Sequence, residues 1–129
     1  MIYCLEINFI TNINLVNLIK VFWKKSKLLI LYSTVDGHTK NICEYINKRL
    51  NNKKDISISS LEDSEKFNLK QFNEIVIGAS VRYGYHRKNV YEFIRNNKSI
   101  LENKKTVFFS LNLTARKPEK NTADSNPYV

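Results

Sequence analysis

No lysine-bearing phosphate motif occurs in this sequence. The pattern G-x-x-x-x-G-K-[ST] is absent, and the G-x-G-x-x-G dinucleotide fingerprint is absent as well, because the first turn that could carry it holds only Gly37. Cysteine is nearly lacking. Cys4 and Cys43 form neither a disulfide framework nor a metal-ligand spacing. Cys43 falls on the apolar side of a predicted helix, which suits a buried, reduced thiol and a cytosolic setting. No run reaches the ~18 apolar residues that a spanning helix needs. Acidic residues are scarce: 12 Asp and Glu stand against 21 Lys and Arg, a net charge of +9. That charge attracts anionic partners, whether nucleic acid, anionic lipid or acidic small molecules. Part of it belongs to a general reliance on Lys, Asn and Ile along the whole chain.

What remains is an ordinary globular composition, 43% hydrophobic and 26% charged over 129 residues, enough for one domain with its own core. "KLLILYS" (Lys27–Ser33) is a continuous apolar run of strand length, as expected of a parallel strand buried on both faces. From Thr39, the residues Ile42, Cys43, Ile46 and Leu50 recur at helical spacing, and Lys48 and Arg49 suit the last turn. "ISISS" (56–60) alternates like a short strand nearer an edge. "EIVIGAS" (74–80) is a second buried strand. A helix follows on Val90, Phe93, Ile94, Ile100 and Leu101, and "KTVFFSLNL" (105–113) is a further buried strand. The order β-α-β-(weak α)-β-α-β predicts an α/β doubly wound parallel sheet.

The first 26 residues fit less easily. "FITNINLVNLIKVFWKKSK" is apolar with a basic end, but Asn12, Asn14, Asn17 and Lys20 interrupt it. No small-residue cleavage site follows. Three readings stand: an unstructured or mistranslated extension, a peripheral membrane-contacting segment, or an added core helix.

Polar residues gather after the carboxyl ends of three buried strands, at 33–39, 80–85 and 110–112. In an open parallel sheet the ligand crevice lies outside those ends. The first loop offers backbone N–H groups and hydroxyls that open a helix, an arrangement able to hold a phosphate monoester without a cation. Flavin mononucleotide at the switch point between the first and third strands of such a sheet is a known use of it.

The stretch 27–129 resembles the flavodoxin-like protoporphyrinogen oxidases, the quinone-dependent protoporphyrinogen IX dehydrogenases. The resemblance rests on "LILYSTVDGHT", "VIGASVRYGYHRK" and "FFSLNLTARKPEKNT", in that order. It implies FMN as cofactor. Thr34, Val35, Asp36, Gly37, His38 and Thr39 would wrap its phosphate, with the Asp36 carboxylate turned away to accept a backbone N–H of its own turn. Ser80, Arg82, Tyr83 and Gly84 would border the isoalloxazine ring, Tyr83 stacking on it. Ser110, Leu111 and Asn112 would touch its other edge through backbone and amide groups. The resemblance further implies oxidation of protoporphyrinogen IX, with menaquinone or another quinone as electron acceptor, on the cytoplasmic face of an anionic membrane. No side-chain nucleophile and no metal are required, so no catalytic or metal-binding residue is assigned. Arg116, Lys117 and Lys120 would face propionates or phospholipid, unless they are simply a solvated basic loop.

Two departures from the family accompany these expectations. The sequence stops within the family's long insertion, so about four of five strands are expected, with residues 106–113 left as an uncovered apolar edge, weak FMN binding and little turnover. The 26 leading residues also exceed the family's start. Rival readings are a non-catalytic remnant that still binds FMN, a flavodoxin-type electron carrier, which the +9 charge opposes, and a nucleic-acid-binding module. The last is disfavoured because the aromatics sit within strands and helices instead of among basic residues.

Overall fold

The computed structural model describes residues 2–7 and 26–112. Its elements are β1 (Ile2–Ile7), β2 (Lys27–Ser33), α1 (His38–Leu50), β3 (Asp55–Ser60), two 3-10 turns (Leu61–Lys66 and Leu69–Gln71), β4 (Glu74–Arg82), β5 (Tyr85–His86), α2 (Lys88–Glu102) and β6 (Lys105–Leu111). The main sheet is parallel and runs β1-β6-β4-β2-β3, and β5 pairs antiparallel with the end of β4. The four strands read from the apolar runs lie in the expected doubly wound order. The weak helix before β4 is instead the pair of 3-10 turns.

Alternation along the strands divides the core in two. Leu28, Ile30, Val76, Val107 and Phe109 pack with Cys43, Ile46 and Leu50 of α1 on one face. Leu29, Leu31, Ile75 and Ile77 pack with Leu61, Leu69, Phe72, Val90 and Leu101 on the other. Burial of both faces explains why β2 and β4 read as continuous apolar runs and not as alternating ones. Cys43 is buried, and its thiol pKa is pushed far up, mainly by that burial, so the thiol is inert as expected. Gly78 is required by packing: a Cβ there would lie 2.3 Å from the Phe109 ring.

A buried ion pair pins the amino ends of the strands. Lys54 Nζ donates to Glu74 Oε2 at 2.6 Å and to Ser26 Oγ at 3.1 Å, with both charged side chains almost wholly enclosed. Removing one partner of such a pair strands the other charge, at a cost of about 3–5 kcal/mol.

The Asn-interrupted stretch to which the three readings apply lies outside the described residues, except for its basic end at 26–27; ahead of it the structure shows an element that none of them named. Ile2–Ile7 is a strand, paired in parallel with residues 106–111 of β6. It therefore covers the edge that was expected to be bare. Doubly wound sheets of order 2-1-3-4-5 place their fifth strand at that position, and here β1 occupies it. The sheet thus has five parallel strands, not an incomplete four. The signal was present in "IYCLEI", a six-residue run rich in β-formers just before the Asn-interrupted stretch.

Deleting residues 1–7 should leave the backbone groups of β6 unpaired on one side, a template for intermolecular pairing. The expected result is a lower melting temperature with concentration-dependent light scattering. An unchanged melt from a monomeric protein would show that the β1–β6 ladder contributes nothing.

Candidate functional site

Register brings the three loops together. Ser33 of β2 pairs with Ala79 of β4, and Ala79 pairs with Ser110 of β6, so the three strands reach one level, beyond which β4 runs on to Arg82. The loops after them therefore share one end of the sheet.

In the first loop, Thr34 Oγ1 accepts the Gly37 N–H at 2.9 Å. That bond folds the chain so that Gly37, at φ +85°, becomes the N-cap of α1. A Cβ at 37 would meet nothing within 4 Å, so the demand for glycine comes from the left-handed backbone and not from crowding. No side chain caps α1, and its first turn holds no acidic residue. The positive end of the helix dipole thus faces the crevice. Beside it are buried hydroxyls with no hydrogen-bond partner among the described residues: Ser33 Oγ and Thr39 Oγ1, in residues almost fully enclosed, and Ser80 Oγ from β4. Buried hydroxyls normally have partners, and an unmet one costs about 1–3 kcal/mol. Three of them at the same end of the sheet as an uncapped helix terminus suit the oxygens of a phosphate ester.

Asp36 does not accept a backbone N–H of its own turn; Thr34 takes that role. Asp36 Oδ1 instead accepts from Arg82 Nη2 at 3.0 Å, an exposed pair that joins the first loop to the second. Arg87 makes a parallel tie, donating to Glu62 Oε1 at 2.6 Å and to the Thr34 carbonyl at 3.5 Å. The loop that lacks lysine is thus approached by two arginines, Arg82 at the end of β4 and Arg87 at the start of α2, of which only Arg82 was anticipated.

The second loop is a two-residue hairpin. Arg82 pairs with Tyr85 and Val81 with His86, leaving Tyr83 and Gly84 at the tip with φ of +51° and +83°. Positive φ at both central residues is the type I′ pattern that matches strand twist. Glycine adopts it freely; tyrosine is strained there. Tyr83 is also 93% exposed, so it is no packing residue. Tyr85 in β5 and Tyr91 in α2 are exposed as well.

The third loop is enclosed. Ser110, Leu111 and Asn112 are all buried. Leu111 packs in the core, which leaves its backbone for any ligand. Asn112 Nδ2 donates to Ser110 Oγ at 3.4 Å, and His86 Nε2 lies 2.9 Å from the same oxygen. His86 was not among the anticipated residues; its place on the "YGYHRK" hairpin was the available clue. Val35 and His38 are exposed on the first loop. A separate cavity of about 430 Å³ lies on the α2 face, lined by Leu61, Phe67, Leu69, Asn89 and Phe93, and includes no residue of the three loops. The crevice is the chemically stronger site, because its unmet hydrogen-bonding groups converge. No cluster of His, Cys, Asp or Glu able to hold a metal occurs among the described residues.

Tyr83→Asn should separate strain from function. Asn tolerates positive φ and favours an Asn-Gly hairpin tip, so stability should rise by up to about 1 kcal/mol. If Tyr83 serves a ligand, affinity for a flat aromatic ligand should fall at the same time. A thermal melt and a flavin titration read the two effects; a fall in both would assign Tyr83 to structure.

Comparison with known proteins places this geometry. Residues 29–129 match the family described as "Flavodoxin domain". The chain is 38% identical over 105 residues to a protein named protoporphyrinogen IX dehydrogenase [quinone] from Leishmania major, a match that takes 80% of this chain and 46% of that protein. It is 36% identical over 107 residues to the protein of the same name from Escherichia coli K12, covering 80% and 58%. The chain thus spans about half the length of these relatives. Among solved structures, a flavoprotein in complex with FMN from Lactobacillus acidophilus superposes with a TM-score of 0.57 at 17% identity, over 78% of this chain and 83% of that one. The Fusobacterium nucleatum flavodoxin bound to FMN gives 0.56 at 17% identity, over 67% and 52%. With its sheet order, its strand-end crevice and this match over most of its length, the chain belongs to the flavodoxin domain family.

Proposed function

We propose that residues 27–129 form an FMN-binding unit serving oxidation of protoporphyrinogen IX to protoporphyrin IX, with menaquinone or another quinone as electron acceptor. The observation that carries the flavin part is a set of buried hydroxyls, Ser33, Thr39 and Ser80, that have no partner among the described residues and lie at the same end of the sheet as the uncapped start of α1. The substrate and acceptor rest on the names of relatives 36–38% identical to this chain.

In this reading the backbone and hydroxyls of Thr34, Val35, Asp36, Gly37, His38 and Thr39 enclose the phosphate. Ser80, Arg82, Tyr83 and Gly84 border the ring, and Ser110, Leu111 and Asn112 close its far edge. FMN, when bound, supplies two-electron acceptance, and three such cycles account for the six electrons lost on aromatisation. The protein's own share is binding and orientation. The Asp36–Arg82 pair compensates the one carboxylate near the phosphate, and Tyr83 offers an exposed ring for stacking.

Purified protein should quench the fluorescence of added FMN and leave nicotinamide dinucleotides unbound. Gly37→Val should weaken FMN binding at least tenfold, because valine resists the φ of +85° that the loop requires. Equal binding by that variant would sink the phosphate-loop assignment. Anaerobic porphyrin fluorescence then tests the substrate: these 129 residues, about half the length of their relatives, should give little rise, whereas a chain extended to the relatives' length should give a rise that needs FMN and quinone together. No rise from the extended chain with FMN bound would remove the substrate reading and leave the flavin one standing.

The proposed site of action is the cytoplasmic face of an anionic membrane, held by charge. No helix among the described residues is long and apolar enough to cross a membrane, and the chain carries +9. Arg116, Lys117 and Lys120 lie outside the described residues. Co-sedimentation with anionic vesicles should fall steeply from low to high salt, since exposed charges are screened within about 8–10 Å at physiological ionic strength. Salt-resistant binding lost on deleting residues 1–26 would point instead to an apolar anchor.

A further inference from the structure

We propose that His86 is the positioning residue of the third loop: through Ser110 Oγ its uncharged imidazole holds Ser110 and Asn112 in the shape that meets the flavin. The inference rests on the flavin reading above and adds a residue to it.

Three elements fix the ring. β5 carries His86 in register with Val81 of β4. Phe108 of β6 meets the ring edge-to-face at 5.4 Å, and Tyr91 of α2 meets it edge-to-face at 6.0 Å. The Tyr91 hydroxyl also accepts the His86 backbone N–H at 3.4 Å. So held, the ring has one polar contact from another strand, Ser110 Oγ at 2.9 Å. Because Asn112 Nδ2 donates to that oxygen, the Ser110 hydroxyl hydrogen is free to point at a bare Nε2. The chain His86–Ser110–Asn112 thus links the hairpin of the second loop to the third through buried groups alone. A buried network of this kind fixes geometry only while every member is satisfied.

An imidazolium would reverse it. With hydrogens on both nitrogens, Nε2 donates to Ser110 Oγ instead of accepting, and the Ser110 hydroxyl hydrogen must turn to another acceptor. Among the described residues, the hydrogen-bonding and aromatic groups against the ring are Ser110 and Phe108 of β6 and Tyr91 of α2; none is a carboxylate, and Arg87 and Lys88 follow in the chain as cations. Burial accordingly lowers the His86 pKa from its ordinary 6.5. A lowered value means that the opened or unfolded chain binds the proton first. The accepting form of the tie is therefore complete above about pH 6.5 and gives way to the reversed, donating form as pH falls from there through the folded value.

Fluorescence titration of FMN into the full chain, at about pH 5.5 and about pH 7.5, tests this. Wild type should bind several-fold more tightly at the higher pH. His86→Gln presents an amide that can accept from or donate to Ser110 but does not titrate, so it should keep the neutral-pH affinity and lose the pH dependence. His86→Phe retains the ring contacts without the hydrogen bond and should bind about tenfold more weakly at both pH values. If His86→Phe fails to fold, the flat profile of His86→Gln decides the matter alone. A wild-type slope persisting in His86→Gln, or wild-type affinity in a folded His86→Phe, would overturn the role. Failure of every protein, wild type included, to bind FMN would instead overturn the flavin reading, and this inference with it.

Discussion

The common register of β2, β4 and β6 is the constraint on which the site depends. Parallel strands cannot slip by one residue without turning every core side chain to the opposite face. Here both faces are packed, so Leu28, Ile30, Val76 and Val107 hold one side while Leu29, Leu31, Ile75 and Ile77 hold the other. Ser33, Ala79 and Ser110 are level because the apolar residues before them leave no alternative. Convergence of three polar loops is then a consequence of core packing, not a separate achievement of the loops.

The two ends of the sheet are built on opposite principles. At the amino ends, Lys54 and Glu74 satisfy one another in a buried ion pair to which Ser26 and Lys105 add further contacts. At the carboxyl ends, Ser33, Thr39 and Ser80 leave hydroxyls unmet, and Tyr83 sits in a backbone conformation that glycine or asparagine would hold more easily. Unmet hydrogen bonds and strain both cost stability, and they persist where the surrounding fold over-determines them. Their concentration at one end is the physical mark of a site, and it needs no knowledge of the ligand.

Much of this was legible in the residues, for identifiable reasons. Buried parallel strands announce themselves as apolar runs, and the helices by spacing, so the order of β2, α1, β3, β4, α2 and β6 could be read. The loops were legible because polar residues follow those runs abruptly. What escaped depends on distant partners. Asp36 was expected to bond locally, as Asp commonly does in turns, but Arg82 is 46 positions away in sequence and adjacent in space. The His86–Ser110 contact spans 24 positions. The strand Ile2–Ile7 escaped because a short apolar run has no intrinsic partner: only a free parallel edge on β6 makes it a strand, and that edge exists only after the rest has folded.

The same pairing resolves the oddity of an acidic residue in a loop suited to an anion. A lone carboxylate beside a phosphate would oppose binding, and a lysine in its place would attract any anion without regard to shape. Here Asp36 arrives tied to Arg82, and Glu62 to Arg87, so each acid close to the loop carries its own cation. Both pairs are about half exposed, and such pairs are worth only about 0–1 kcal/mol. They can rearrange cheaply as a ligand enters, the arginine turning toward an anion without stranding a buried charge. Discrimination then falls to groups that cannot move: the N-terminus of α1, the fixed hydroxyls and the left-handed turn at Gly37. A loop of that design selects for the shape and hydrogen-bonding of its anion ahead of its charge, which is why it needs no lysine.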